Sequence, residues 1–218
     1  MLRQMKKSIA NGDPAGLSGL ISDQPSAVNT LIPFGPDNAH QVHPLHYICD
    51  CVFEQKIDEN TALQLAQILL EFGADVNASE GTSLDTPLIA ACSLHCDDLA
   101  LLLLRQGADP TLKGTHGGSS LHWASWTGAL RAVAEILEYD IPLDDNMNEF
   151  QCTPLLWAVD GYLNARERNV REQLGVIFTL LEAGADPLAR DSQNRTASDL
   201  LQEKNLTAIA KRVESYYP

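Results

Sequence analysis

Apolar residues recur along this chain in a repeating phase. In "LAQILLEFGADVN", "LALLLLRQGADP", "AVAEILEYDIPL" and "VIFTLLEAGADP" they fall at i, i+1, i+4 and i+5, the stripe of a helix packed on neighbours. Leu65, Ala66, Leu69 and Leu70 thus correspond to Leu99, Ala100, Leu103 and Leu104, to Ala132, Val133, Ile136 and Leu137, and to Val176, Ile177, Leu180 and Leu181. A shorter apolar segment precedes each: "HPLHYI" at 43, "TPLIAA" at 86, "SSLHWA" at 119 and "TPLLWA" at 153, with a weaker "TASDLL" at 196. Their starts lie 43, 33, 34 and 43 residues apart. The pattern predicts units of two short helices and an extended connection. Pro87 and Pro154 sit in a first turn, where a missing N–H costs nothing. Gly73, Gly107 and Gly184 follow the second helices, where a left-handed cap is cheapest without a Cβ; Asp140 takes that place in the third unit.

A period of 33 residues carrying Thr-Pro-Leu-His-x-Ala, a second helix ending Leu-Leu-x-x-Gly-Ala-Asp and a polar hairpin resembles the ankyrin repeat family. The resemblance covers residues 43 to about 203 directly. It implies an all-α solenoid of paired antiparallel helices joined by hairpin loops, with about four full repeats between degenerate caps. One domain is expected over 1–218: an N-terminal cap and long connection in 1–42, central repeats in 43–195 and a C-terminal cap in 196–218. The motif histidine stands only at His46 and His122, and the resemblance gives both a structural role, bonding within and between repeat turns.

Two units exceed the period by about ten residues, around "DCVFEQKIDEN" (50–60, acidic) and "DGYLNARERNV" (160–170, basic). Both extras lie between paired helices, as lengthened helices or as excursions that decorate the repeat or touch a partner. The connection "DQPSAVNTLIPFGPDNAHQV" is also longer than a family hairpin, and its Leu31, Ile32 and Phe34 suit a segment folded back over the first repeat.

Composition narrows the function. With 44% apolar residues in 218, the chain can bury a sizeable core without staples, and five cysteines, an odd number, point to reduced thiols. The apolar run Leu99 to Leu104 is too short to span a membrane, and the N-terminus has no apolar signal core, so a cytoplasmic protein is expected. The net charge is -14, with 21 acids against four bases in residues 13–162, which weighs against nucleic acid or an anionic membrane surface as partner.

Cys49, Cys51, Cys92, Cys96, His46 and His95 look at first like metal ligands. Alignment of the repeats puts Cys49 and Cys92 at one position, filled by Ser125 and Val159 elsewhere, where a small buried residue belongs. His95 and Cys96 are sequence neighbours, which point about 100 degrees apart on a helix and cannot easily share a proton. No glycine-rich phosphate loop and no Ser-His-Asp ordering stands in the chain. The sequence assigns no catalytic residue, no cofactor and no metal site. A thiol- or metal-dependent enzyme is the third hypothesis.

What remains is a surface for another protein. In ankyrin arrays, hairpin tips and exposed first-helix positions form a concave groove, and the resemblance places Thr82, Ser83, Asp85, Thr115, His116, Glu149 and Phe150 on the tips here. It places Asp50, Ser93, Leu94, Trp126, Thr127 and Asp160 on the first helices, and Tyr47, Trp123 and Trp157 at the groove edge. Core packing is the other reading of Trp123 and Trp157; Trp126 is harder to explain that way. Interface anchors are enriched in Trp, Tyr and Arg. The chain is therefore expected to be a noncatalytic, monomeric interaction module for a basic protein partner, with an inhibitor or immunity protein against a cationic enzyme or toxin as the alternative.

Overall fold

The computed structural model describes residues 1–35, 38–79, 84–164 and 170–218. The contacts of the chain cluster into two compact units, Met1–Thr115 and His116–Pro218.

The first unit holds three helix pairs: α1 (Leu2–Ala10) with α2 (Pro14–Asp23), α3 (Pro44–Phe53) with α4 (Glu59–Glu71), and α5 (Pro87–Ser93) with α6 (Asp97–Arg105). First helices pack on first helices, α1 on α3 and α3 on α5; second helices do the same, α2 on α4 and α4 on α6. The repeated stripe lies between the layers: Leu65, Leu69, Leu99 and Leu103 are fully buried. Four of these helices, α2 to α5, start where a capping side chain takes an orphan backbone N–H. Thr86 Oγ1 accepts from Ile89 N at 3.2 Å with Pro87 beside it. Asp58 Oδ1 accepts from Thr61 N at 2.7 Å, and His43 Nδ1 accepts from Leu45 N at 3.3 Å.

The helices of the long repeats are extended: α3 has 10 residues and α4 has 13, against 7 in α5 and 9 in α6. The first insertion therefore becomes helix and a tight turn rather than a loose excursion. Connections end on residues that need a left-handed backbone. Gly73 and Gly107 have φ of +86° and +88°, and a Cβ on either would meet nothing within 4 Å, so the demand for glycine comes from the dihedral alone. Gln55 and His95, between paired helices, have φ of +59° each.

Asparagine side chains tie successive turns together. Asn29 Oδ1 accepts from Asp75 N at 2.7 Å while its Nδ2 donates to Gly73 O at 3.2 Å. One repeat on, Asn77 Oδ1 accepts from Asp109 N at 2.8 Å and its Nδ2 donates to Gly107 O at 3.4 Å. The long connection does fold back over the first full repeat, as a 3-10 turn (Pro25–Asn29) and an antiparallel hairpin of β1 (Ile32–Phe34) and β2 (His40–Val42), with Ile32 opposite Val42. Ile32 is fully buried, and Phe34 stands edge-on to Tyr47 at 5.9 Å. The sequence pattern did not predict these strands.

The second unit repeats the two-layer plan with α7 (Ser120–Thr127) and α8 (Leu130–Ile136), α9 (Pro154–Asn164) and α10 (Val170–Glu182), and α11 (Ala197–Glu203) and α12 (Thr207–Glu214). α7, α9 and α11 form one layer, and α8 packs on α10 in the other. Of the second insertion, 165–169 lie outside the described residues. Gly184 has the left-handed φ, +100°, that its place predicts. Asp140 does not: α8 ends early, at Ile136, so no left-handed cap falls on Asp140. Arg212 lies over the Phe178 ring at 3.6 Å and Tyr216 stacks on that ring, closing the apolar end under α12.

Candidate protein-binding face

The second unit carries a chain of rings on α7, α9 and the hairpin before α9. Trp126 meets Trp123 at 6.1 Å, Trp123 meets Trp157 at 5.1 Å, and Trp157 meets Phe150 at 5.4 Å, all edge to face. Phe150 meets His116 at 5.7 Å. Such geometry sets the positive edge of one ring against the negative face of the next and stabilises each pair by about 0.5–1.5 kcal/mol beyond area. Trp157 is 6% exposed and forms the floor; Trp126 at 38% and Phe150 at 49% form the surface.

Local bonds fix each surface ring. The Trp126 indole N–H donates to Asp160 Oδ2 at 3.0 Å, and its carbonyl accepts from Gln173 Nε2 at 2.7 Å. Gly161 is required here, because a Cβ would sit 2.1 Å from that same carbonyl oxygen. Asn164 Nδ2 donates to Asp160 Oδ1 at 3.1 Å and steadies the carboxylate. Asn148 shapes the hairpin under Phe150: its Nδ2 donates to Cys152 O at 2.7 Å and its Oδ1 accepts from Phe150 N at 3.1 Å. Glu149 Oε2 accepts from His116 Nδ1 at 2.8 Å. The face therefore pairs two exposed rings with two carboxylates, each oriented by a ring N–H.

His122 supports this face from below. Its Nδ1 accepts from Ser119 N at 3.2 Å, so its Nε2 carries the proton and donates to Asp145 O at 2.9 Å. The ring also stands edge-on to Trp157 at 5.3 Å. That is the within- and between-turn role the motif implies. The Trp123 indole nitrogen is buried and has no acceptor among the described residues.

Four of the residues placed on the groove are interior. Trp157 is the ring floor, and Thr127 is 2% exposed because its hydroxyl donates back to Trp123 O at 2.9 Å. Tyr47 is 2% exposed, covered by the β-hairpin that the repeat pattern does not contain. Asp50, 8% exposed, lies on the same helix with Oδ2 buried and unpartnered, and burial pushes its carboxyl up to about 7. Trp123, Ser93, Leu94, Asp85 and Thr115 are half-buried. Asp85 Oδ1 accepts from Thr115 N at 2.8 Å, a bond internal to the hairpins. Thr82 and Ser83 lie outside the described residues. Exposed together in the second unit are Trp126, Asp160, His116, Glu149 and Phe150. Sequence reasoning missed Met147, 78% exposed, and Gln151, although an apolar Met in the polar run "DDNMNEFQ" was a visible signal.

The thiols sit inward. Cys49, Cys51, Cys92 and Cys96 are all fully buried and all five cysteines are free. Burial holds the Cys92 thiol well above its usual range and pushes Cys51 up to about 11; the neighbouring Cys96 thiol and burial do the same for Cys49. A thiol kept protonated is a poor nucleophile and a poor metal ligand. Cys96 lies near Cys49 O, 3.9 Å away, whereas His95 is exposed on its left-handed turn, so the two do not meet as an acid–base pair. Among the described residues no helix is long and apolar enough to cross a membrane.

Residues 83–115 match the family model of the ankyrin repeat. Over 176 residues the chain is 27% identical to alpha-latrocrustotoxin-Lt1a of Latrodectus tredecimguttatus, which covers 79% of this chain and 12% of that protein. Over 76 residues it is 38% identical to the 2-5A-dependent ribonuclease of Homo sapiens, covering 35% of this chain and 10% of the ribonuclease. The chain thus spans about a tenth of these two relatives, 12% and 10%. The crystal structure of EF0377, an ankyrin repeat protein, matches with a TM-score of 0.77 and 23% identity over 100% of this chain and 99% of that one, a likeness of fold.

Proposed function

We propose that the chain is a noncatalytic protein-interaction module of the ankyrin repeat kind that binds a basic partner segment through the aromatic, carboxylate-bearing face of its second unit; the match of residues 83–115 to the ankyrin repeat and the likeness of fold support the module. Ankyrin repeats generally mediate protein–protein interaction; the choice of face and partner is made on this chain's own residues. The observation that carries it is the pairing of Trp126 with Asp160, an exposed indole whose N–H orients a carboxylate. Single exposed apolar residues need no explanation, but two rings joined through a buried aromatic floor form a contiguous patch of the kind that marks a binding surface. The acidic balance of the chain gives such a patch a preference for cationic partners.

The test compares three immobilised proteins in capture from the native lysate: wild type, Trp126→Ala and Arg105→Ala, an exposed control in the first unit. A basic protein retained by wild type and by the control but lost with Trp126→Ala supports the reading, with binding weaker by about 2 kcal/mol or more in titration calorimetry. If Trp126→Ala captures the same proteins with the same affinity, the face is not the binding surface. If that variant binds normally and melts far lower, Trp126 is core. Capture of a cationic enzyme whose activity is thereby lost identifies the module as its inhibitor.

A further inference from the structure

We propose that the depression beside Phe150 is an arginine pocket, in which Glu149 selects the guanidinium group of a partner side chain. This rests on the protein-binding reading of the same face and specifies its chemistry. The depression has a volume of about 510 Å³, and His116, Met147, Asn148, Glu149 and Gln151 are among the residues lining it.

Its one acidic group is presented for binding. Glu149 Oε2 is engaged by His116 Nδ1 at 2.8 Å, which fixes the plane of the carboxylate, while Oε1 accepts no hydrogen bond from the described residues. The Glu149 side chain is 67% exposed, so it reaches the opening. A backbone bond from Glu149 N to His116 O at 2.9 Å locks the two hairpins that carry the pair. His116 and Gln151 both hold left-handed backbones, with φ of +64° and +53°, so the rim is built in advance of any ligand.

The remaining lining decides which cation fits. The His116 ring, tilted against Phe150 just outside the depression, gives π surface, and Met147, with its polarizable thioether, gives an apolar support for a long stem. A guanidinium is flat, weakly hydrated, stacks on rings and presents several N–H donors to one carboxylate. A lysine ammonium satisfies the charge but loses more hydration and cannot stack. An anion meets Glu149, and an apolar side chain would strip water from that carboxylate and return nothing.

The experiment uses the full chain labelled with ¹⁵N and three capped tripeptides, acetyl-Gly-X-Gly-amide with X as Arg, Lys or citrulline, the last an uncharged isostere of Arg. Saturable shifts of the His116 imidazole and the Phe150 amide by the Arg peptide, roughly tenfold weaker for Lys and citrulline, support the pocket. Glu149→Gln should lower Arg affinity by a similar factor with an unchanged melting temperature. Equal affinities for Arg and Lys, retention of Arg binding in Glu149→Gln, shifts confined to Trp126, or no saturable shift overturns it. Selection from an unbiased displayed peptide library then separates the two readings. Selected peptides that need Trp126 and share an Arg sensitive to Glu149→Gln support both. Peptides that need Trp126 but share no Arg leave the interaction reading standing and sink the pocket. If no selected peptide depends on Trp126, both fall.

Discussion

Asp50 on α3 and His43, which caps that helix, give this protein two opposed responses to pH. Burial raises the Asp50 carboxyl from 3.8 to about 7, so between those values the folded chain holds a proton that the unfolded chain has released, and stability falls as pH rises through the window. His43 runs the other way: burial lowers it from 6.5 to about 4, so the unfolded chain takes up a proton that the folded chain refuses, and stability falls as pH drops. Its bonds explain the refusal, since Nδ1 accepts from Leu45 N while Nε2 faces Asn29 Oδ1 at 3.0 Å, which requires the neutral ring. The slopes oppose one another below pH 6.5 and only the Asp50 slope remains above it. Asp50→Asn should therefore gain stability over wild type at pH 8 more than at pH 5, with about 4 kcal/mol as the ceiling for a shift of this size. Urea midpoints at the two pH values measure this; an equal difference at both would mean that Asp50 is ionised in the fold. Leu103 and Arg105 offer a simpler pair. Leu103 is fully buried in the leucine ladder and its change to Ala should cost about 2–5 kcal/mol, against under about 0.5 for Arg105→Ala at the exposed end of the same helix. Coincident denaturation curves for the two variants would contradict the helix register.

Helices, their starts and their stops follow from local chemistry that a sequence displays openly. Thr86 before Pro87 announces α5, and Gly107 announces the stop after α6, because capping needs only one residue and its near neighbours. The stop can be weighed: Gly107→Ala places a Cβ in free space but on a φ of +88°, so the loss should be about 1 kcal/mol, arising from the backbone alone. Thermal unfolding of the variant checks it, and a loss several times larger would mean that packing also opposes a side chain there. What depends on distant segments was not legible. The strand Ile32–Phe34 has three residues and contains a proline, too short to show alternation, and it stands because it packs on α3. Once it does, Tyr47 is covered, although its place in the repeat marks an edge position. Trp123, Trp126 and Trp157 illustrate the same limit: the repeat fixes their helices, but only the Trp126–Asp160 bond and the Phe150 contact sort surface ring from floor.

At the scale of the whole chain, a charge of -14 acts before any contact forms. Long-range attraction falls off over a Debye length of about 8 Å at physiological salt, so association with a basic partner should slow steeply as salt rises, while dissociation changes little. Stopped-flow rates across a salt series test this, and an association rate indifferent to salt would remove the basic partner. The ring chain has a further, optical consequence. All three tryptophans of the molecule fall within it, at centroid separations of 5.1 and 6.1 Å, so every indole emitter belongs to residues 116–218. Tryptophan emission, excited where tyrosine does not absorb, thus works as a built-in dye for the binding face and has no emitter in the first 115 residues. Melting of Met1–Thr115 has no tryptophan of its own to report it yet registers in far-ultraviolet dichroism, so a mismatch between dichroism and tryptophan emission would time the two units separately.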